Sequence, residues 1–394
     1  MAAAFTPAGL GALQRIVDET AARGGAPGLV GLVSRGAETH VVTAGTLAVD
    51  GAEPMRRDTL FRITSMTKAV TAAAAMMLIE EGKLSFDEPV GRLAPELAVM
   101  KVLPSLDAPL SAAIPSPRPM TVEDVMSFRL GWGVIMAPPG TYPVQQVIAG
   151  QQLVGFGPPD PSVPYGPDEY LRRLGQLPLF SPPGRDWRYT TGSNVLGALI
   201  TRAAGRPLPE VLRERIFEPL GMTDTGFHVP PEKLARLPPA YTAQGVHDPP
   251  QGAWSRRPAF PQGDSGLVST ADDFAAFARF LETGRDARER VLLRPQSLAA
   301  MKTNHLTPEQ ARRGAPFLAA GQGWGYGLGV MFQENPQDLP LGTYGWMGGF
   351  GTSWMTEPGR GLVALLMTQR MFDGPGGGAA HAAFHAAALA AARV

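Results

Sequence analysis

The chain has 394 residues, of which 44% are hydrophobic and 18% charged, a composition that excludes a disordered chain. Its 35 basic and 35 acidic residues cancel, so no excess charge favours nucleic acid or an acidic membrane as a partner. The absence of cysteine excludes disulfides, thiol nucleophiles and cysteine-based metal sites. Because a single core stops growing at roughly 250–300 residues, the length predicts two lobes.

The chain contains no pattern typical of export or membrane insertion. Residues 1–10 lack the basic segment and the apolar core of a signal peptide. The longest apolar run, residues 69–79, is too short to cross a bilayer. We therefore expect a cytoplasmic protein without nucleic-acid or membrane partners, and the sequence leaves its oligomeric state open.

Short strands open the chain, and a buried helix follows them. Residues 28–33 and 38–43 are apolar or β-branched runs around a Ser-Arg-Gly-Ala turn, which predicts a β-hairpin. Residues 64–81 are rich in alanine, methionine and leucine. Threonine and serine at the start of this run are typical of a helix N-cap, and Gly82 of a C-terminal cap.

Proline dominates two stretches of the middle third, residues 102–120 and 138–167, and neither can form a continuous helix. Helical patterns lie between and after these stretches. They cover residues 122–128, 167–174, 193–204 and 208–217.

Strand-like runs return in the last third, after a helical pattern at 271–283 and before an alanine-rich terminal helix. These runs cover residues 325–333, 342–346, 352–356 and 362–368. Strands at both ends with helices between them predict an α+β fold. We expect a discontinuous sheet domain, residues 1–92 with 255–394, and a mainly helical domain with long loops, residues 93–254.

The sharpest chemical signal is Ser65-Met66-Thr67-Lys68 at the start of the long helix. Residues three apart share a helix face, so the Lys68 amine can reach the Ser65 hydroxyl. A serine is a weak nucleophile without an adjacent base, and a desolvated lysine can supply one. Because the chain has only five lysines, the spacing is informative, although a surface serine and lysine would produce the same pattern.

The blocks around this motif resemble the serine β-lactamase and penicillin-binding-protein superfamily, in particular its class C β-lactamase-like branch of family VIII carboxylesterases. The resemblance rests on the order of blocks at residues 61–90, 118–124, 218–225, 266–270 and 323–329. It implies a β-lactamase/transpeptidase-like fold, with an antiparallel sheet flanked by helices plus a helical domain. It also implies hydrolysis through a Ser65 acyl-enzyme without a cofactor or metal.

The second motif of this superfamily is a tyrosine followed two residues later by an asparagine. The approach at 180–188 makes Tyr189 the match, but Thr191 stands in place of the asparagine. The resemblance implies that Tyr189 shuttles a proton beside Lys68. On spacing alone Tyr142, Tyr165 and Tyr170 compete for this position, and a half-buried structural tyrosine is the alternative interpretation.

The third motif usually provides a lysine or histidine, a hydroxyl residue and a glycine. Here the segment is Trp346-Met347-Gly348-Gly349, so the cation and the hydroxyl are absent. Tryptophan at this position is similar to family VIII carboxylesterases, and the glycines let the strand pass close to an ester. The resemblance implies substrate contacts at Trp346 and Gly348, and an oxyanion hole formed by the N–H groups of Ser65 and Gly349. Simple core packing of Trp346 is the alternative.

The other motifs in the sequence give weaker evidence about function. No Gly-x-Ser-x-Gly nucleophile elbow occurs, which argues against an α/β-hydrolase. His381 and His385 lie one helical turn apart, but their otherwise apolar helix favours packing over a metal site. Aromatic residues in and near the second proline-rich stretch predict an apolar substrate entrance formed by Trp132, Tyr142, Tyr165 and Phe156.

Together these features predict a carboxylesterase that cleaves small to medium, largely apolar esters. A β-lactamase, peptide hydrolase or acyltransferase on the same scaffold is the first alternative. A non-catalytic ligand-binding protein is the second, because Thr191 and the missing cation depart from the superfamily pattern. The sequence does not identify the natural ester, the stereopreference, or whether Lys68 or Tyr189 is the formal base.

Overall fold

A computed structural model describes residues 4–336 and 339–392. The helices are α1 (Pro7–Ala22), α2 (Thr67–Glu80), α3 (Val122–Met126), α4 (Pro143–Gly150), α5 (Pro167–Leu174), α6 (Thr191–Ala204), α7 (Leu208–Leu212), α8 (Glu218–Leu220), α9 (Ala271–Thr283), α10 (Pro295–Met301), α11 (Pro308–Arg313) and α12 (Ala379–Ala391). The strands are β1 (Gly28–Arg35), β2 (Glu38–Gly45), β3 (Phe61–Arg62), β4 (Lys101–Val102), β5 (Ile114–Pro115), β6 (Ala240–Thr242), β7 (Gly245–Asp248), β8 (Val268–Ser269), β9 (Gln322–Trp324), β10 (Gly329–Met331), β11 (Tyr344–Gly348), β12 (Thr352–Glu357) and β13 (Leu362–Thr368).

A seven-stranded antiparallel sheet forms the centre of the fold, in the order β2-β1-β13-β12-β11-β10-β9. The predicted hairpin is confirmed as β1 and β2, with Arg35 opposite Glu38. Strand β1 pairs on its other edge with β13, where Leu29 lies opposite Thr368. Strands from both ends of the sequence therefore form one sheet, and the predicted α+β fold with flanking helices is confirmed.

Both faces of the sheet are covered by helices, and the side chains of β13 alternate between the two faces. Leu362, Ala364 and Leu366 pack into a cluster with α1 and α12 on one face. Val363 and Leu365 point to the other face, into the larger core that includes α2 and α9. Because successive side chains of a strand alternate, a strand covered on both faces is apolar throughout. This explains why β13 is fully buried.

Helix α2 is buried along nearly its whole length and also packs against α6. It ends as predicted, with Gly82 in the left-handed conformation at φ +70°. The prediction of a side-chain cap at its start is wrong. Residues Thr64–Met66 form a separate 3₁₀ turn that leads directly into the helix, and no side chain in the described part of the chain caps the turn or the helix.

Three further features differ from the sequence interpretation. The single predicted strand at 325–333 is wrong: β9 and β10 are separate strands, joined by a turn in which Gly327 has φ +78°. A β-carbon at Gly327 would collide with the Lys68 carbonyl oxygen, so this turn packs directly on α2. The helices α1, α4, α8, α10 and α11 were not predicted, and a π-helical turn, Arg213–Phe217, follows α7.

Helices occupy most of the regular structure between residues 93 and 254, where β4 with β5 and β6 with β7 form only two-stranded pairs. The domain division at residues 92 and 255 stays a prediction, as does the cytoplasmic location. Within the described ranges, no helix combines the length and the hydropathy needed to cross a bilayer.

Candidate active site

Ser65 and Lys68 lie at the junction of the 3₁₀ turn and α2. Ser65 is half-buried, whereas Lys68 is fully buried. Lys68 Nζ donates one hydrogen bond to Ser65 Oγ at 2.9 Å and another to the carbonyl oxygen of Asp264, also at 2.9 Å. The two bonds fix the amine in one place, so the spacing read from the sequence corresponds to direct contact of the two side chains.

Tyr189 lies beside Lys68, just before α6. Lys68 Nζ is 4.6 Å from the centroid of the Tyr189 ring, and this ring stacks on Phe317 at 4.4 Å between centroids. The other sequence candidates lie elsewhere: Tyr165 donates to the Gln152 carbonyl oxygen, and Tyr170 is fully buried against Phe260. Of the four tyrosines considered, Tyr189 is the one whose ring contacts the Lys68 amine.

Trp346 occupies the position where the sequence lacks a cation, on β11. Its indole N–H donates to the Tyr189 hydroxyl oxygen at 2.7 Å, and both side chains are buried. The indole also packs edge-on against Trp324, with ring centroids 4.6 Å apart. The sequence left open whether Trp346 packs in the core or belongs to the site. It does both, since it packs in a core cluster and donates a hydrogen bond to Tyr189.

The backbone is strained beside both Ser65 and Tyr189. Thr64 has φ +38° and Thr190 has φ +90°, conformations that non-glycine residues rarely adopt. Such strain costs on the order of 1–3 kcal/mol per residue and persists only where the surroundings impose it. The packing of the site thus holds these two segments in conformations that a relaxed loop would avoid.

The end of β11 passes close to the 3₁₀ turn. A β-carbon at Gly348 would collide with the Ile63 carbonyl oxygen and the Thr64 hydroxyl, so only glycine permits this approach. Gly349 follows in an exposed position with open space around its α-carbon. Within the described ranges, the N–H groups of Ser65 and Gly349 have no hydrogen-bond acceptor.

Behind Lys68 lies a buried polar group that the sequence analysis missed. The Asp264 side chain is buried, and its Oδ1 accepts a hydrogen bond of 2.6 Å from Ser265 Oγ. The Asp264 N–H donates to Asn194 Oδ1 on α6 at 3.2 Å. Burial raises the pKa of the Asp264 carboxyl, while the nearby Lys68 charge acts in the opposite direction. No local pattern distinguishes Asp264, since it meets Lys68 only through the fold.

Thr191, which replaces the expected asparagine, has a structural role. It is fully buried, and its hydroxyl donates to the Gly155 carbonyl oxygen at 2.6 Å. The bond ties the start of α6 to the loop after α4. Thr191 therefore contributes to the structure around Tyr189 rather than to a polar contact with substrate.

The residues predicted to form the substrate entrance differ in burial. Trp132 is fully buried, and its indole donates to the Pro178 carbonyl oxygen at 3.0 Å, so it belongs to the core rather than to an entrance surface. Tyr142 is half-buried directly before α4, and half-buried Phe156 packs against Phe180. In the described part of the chain no ring contact or hydrogen bond links these three residues to Ser65. Substrate contacts at Tyr142 and Phe156 stay predictions.

The two histidines of α12 face the sheet. His381 Nε2 lies 3.1 Å from the Gly351 carbonyl oxygen, and burial lowers the pKa of His381 to about 4. His385 Nε2 lies 3.2 Å from Ser353 Oγ, and burial lowers the pKa of His385 to about 3. Among residues 4–336 and 339–392, no group of three or more potential ligands could hold a metal ion.

Comparison with known proteins identifies the family. Residues 13–388 match the family model described as Beta-lactamase. The chain therefore belongs to the Beta-lactamase family.

Two relatives and one solved structure extend this result. Esterase EstB of Burkholderia gladioli is 31% identical over 373 residues, which cover 89% of this chain and 88% of the relative. An uncharacterised protein of Mycobacterium tuberculosis is 36% identical over 339 residues, 82% of this chain and 81% of the relative. The structure of EstCE1, described as a hydrolase with promiscuous acyltransferase activity, has a TM-score of 0.80 at 24% identity and covers 97% of this chain and 98% of its own. The last similarity concerns the fold.

Proposed function

We propose that this protein is a serine carboxylesterase that acts through a Ser65 acyl-enzyme. The observation that carries the proposal is the hydrogen bond from the fully buried Lys68 amine to Ser65 Oγ, beside the ring of Tyr189. A serine hydroxyl bonded to an amine that also contacts a phenol provides the nucleophile and the proton-transfer groups that acyl transfer requires. The similarity to Esterase EstB supports ester hydrolysis over other acyl-transfer reactions.

The reaction begins when the Ser65 proton passes to the Lys68–Tyr189 pair and Ser65 Oγ attacks the ester carbonyl carbon. The carbonyl oxygen becomes an oxyanion, for which the N–H groups of Ser65 and Gly349 are the available donors. The tetrahedral intermediate collapses as the alcohol leaves with a proton from the pair. Water then attacks the acyl-enzyme by the same steps and releases the acid.

Trp346 assists Tyr189 in this scheme. A hydrogen bond from the indole N–H fixes the orientation of the phenol and stabilises negative charge that develops on its oxygen. The same residue leaves the site without the cation that would pair with a substrate carboxylate. We infer that the preferred substrates are uncharged esters with apolar acyl groups.

The test is hydrolysis of p-nitrophenyl butyrate by the wild type and the Ser65→Ala variant. We expect the substitution to lower kcat on the order of 10⁴-fold or more and to abolish labelling by a fluorophosphonate probe. Ser34→Ala is the matched control, because Ser34 is a buried serine on β1 that bonds Thr39. Undiminished turnover by Ser65→Ala contradicts the proposal. Absence of probe labelling in the wild type would instead favour a non-catalytic binding protein.

Acyl transfer to an alcohol is the second candidate, and the description of EstCE1 supports it. The same acyl-enzyme forms, but an alcohol replaces water in the second half of the reaction. Turnover of a vinyl ester with added 1-butanol distinguishes the two, because a transferase forms more butyl ester than free acid. Nitrocefin hydrolysis as fast as that of simple esters would favour the β-lactamase alternative.

A further inference from the structure

A cavity of about 990 Å³ lies between α6, α7 and the loop of residues 257–261. Ser65 and Tyr189 are not among its described lining residues. Sites for small organic molecules are commonly clefts of roughly 300–1,000 Å³. The cavity is therefore large enough for a ligand, and the scheme above gives it no role.

One short loop separates this cavity from the proposed nucleophile. Pro261 lines the cavity, whereas the Asp264 carbonyl oxygen accepts the hydrogen bond from Lys68 at 2.9 Å. Between them Gly263 packs on α6, where a β-carbon would come within 2.5 Å of the Ser193 carbonyl oxygen. The cavity is thus a second site rather than an extension of the acyl site.

The walls of the cavity are mainly apolar. Buried side chains from several segments of the chain line it, and they are Leu208, Phe217, Met222, Phe227 and Phe260. Each methylene group that a ligand buries against such walls raises its affinity about fourfold. The lining therefore favours a ligand with a hydrocarbon part.

The charged residues that line the cavity are not all paired. Glu210 pairs with Arg206 at 2.9 Å, and Glu218 pairs with Arg213 at 2.5 Å. The exposed Arg257, by contrast, makes no ion pair or hydrogen bond in the described part of the chain. A guanidinium is therefore available at the cavity, and it matches a carboxylate in charge and in geometry.

His228 adds a polar group to the same end of the cavity. The Val229 N–H donates to the Trp254 carbonyl oxygen at 2.8 Å, which holds the chain at His228 beside the segment that leads to Arg257. Burial and, to a smaller extent, the Arg257 charge lower the pKa of His228 below its usual value. At pH 7 the imidazole is therefore mainly neutral, and one of its ring nitrogens is a hydrogen-bond donor.

We propose that this cavity binds an apolar carboxylate, with its hydrocarbon chain against the buried walls and its carboxylate at Arg257 and His228. An uncharged apolar ligand leaves Arg257 without an anion, and a small inorganic anion leaves the apolar walls uncovered. Acids of this class are also what the proposed esterase releases, but binding at the cavity does not depend on catalysis.

Isothermal titration calorimetry of the wild type with decanoate tests the proposal. We expect saturable binding, with a Kd that rises about fourfold for each methylene group removed from the ligand. Decanol has the same number of carbons without the charge, so it should bind more weakly than decanoate. Absence of saturable binding, or a Kd that does not depend on chain length, overturns the proposal.

Arg257→Gln removes the cation from the cavity. We expect the Kd for decanoate to rise about 10-fold, because a hydrogen bond to a charged group is lost, while the Kd for decanol stays unchanged. Arg256→Gln is the matched control, since Arg256 is the adjacent residue and is also exposed, but is not among the described lining residues. Equal losses in the two variants would assign the binding to overall charge and overturn the proposal.

Thr201→Phe tests the apolar part of the site. Thr201 lines the cavity from α6, and a phenyl group there occupies space that the hydrocarbon chain needs. Decanoate and decanol should therefore both lose affinity, and full affinity in a folded variant overturns the proposal. If thermal denaturation shows that Thr201→Phe is not folded, Ala259→Trp at the exposed rim of the cavity replaces it. Decanoate binding in a protein without esterase activity would show that the proposed function has failed while the second site stands.

Discussion

From the hydrogen bond between Trp346 and Tyr189 we predict how much kcat falls when its donor is removed. Trp346→Phe keeps an aromatic ring on β11 but removes the indole N–H that lies 2.7 Å from the Tyr189 oxygen. Both residues are buried, at 6% and 9% exposure, so water cannot easily replace the lost donor. A hydrogen bond to an oxygen that carries charge is worth about 1.5–3 kcal/mol. Such a loss in the transition state lowers kcat about 10- to 100-fold.

The structure provides a matched control for this experiment. Trp324 packs in the same aromatic cluster, 6.2 Å from the Tyr189 ring centroid, but its indole N–H has no hydrogen-bond partner among the described residues. Trp324→Phe therefore removes a similar packing volume without removing a hydrogen bond. We expect p-nitrophenyl butyrate assays to show a much smaller loss of kcat in this variant. Thermal denaturation should show a larger loss of stability in Trp346→Phe, because that variant also loses a buried hydrogen bond. Equal losses of kcat would refute a role for the Trp346 hydrogen bond.

Three further variants test the surroundings of the site. Asp248→Asn leaves the buried Arg62 guanidinium without its anionic partner, 2.6 Å away, so urea unfolding should show a loss of about 3–5 kcal/mol; a loss no larger than that of a surface substitution would contradict this. Because the pKa of His381 is lowered to about 4, stability is complete above its usual pKa and decreases as the pH falls toward 4. His381→Gln keeps a donor and should remove about 2 kcal/mol of the difference in unfolding free energy between pH 7 and pH 4.5, whereas an unchanged difference would show that His381 does not cause it. Gly327→Ala should cost about 1–3 kcal/mol more than Gly342→Ala, since both glycines have positive φ but only the first would push against α2; equal costs would rule out that contact.

Local signals explain which elements the sequence predicted well. The bounds of α5, α9 and β13 agree with the structure to the residue. Gly284 follows α9 in the left-handed conformation, and α5 begins with a proline in its first turn. Both signals can be recognised from a few neighbouring residues. The predicted strand at 325–333 is wrong because its apolar pattern continues through the turn that packs against α2.

The site was predictable only where its partners are close in sequence. Ser65 and Lys68 are three residues apart, and helix geometry alone brings them together. The bond from Lys68 to Asp264 joins residues 196 positions apart, and the bond from Trp346 to Tyr189 spans 157 positions. The hydrophobic periodicity of the sequence does not indicate such contacts, because they depend on how separate helices and strands pack. The resemblance to a family pointed to both Tyr189 and Trp346, but nothing in the sequence indicated that the Trp346 indole donates a hydrogen bond to Tyr189.

The pairing of β1 with β13 has a consequence for how the protein folds. The hairpin of β1 and β2 is complete within 18 residues, but the second edge of β1 pairs with residues more than 300 positions later. During synthesis this edge stays unpaired until β13 has left the ribosome, and an unpaired apolar edge is prone to aggregate. Contacts between residues so far apart in sequence also slow folding, because the entropy cost of closing the long loop comes before the stabilisation gained when the strands pair. Refolding from denaturant should therefore be slow and sensitive to protein concentration, even though the proposed nucleophile and its lysine lie within a single turn of helix.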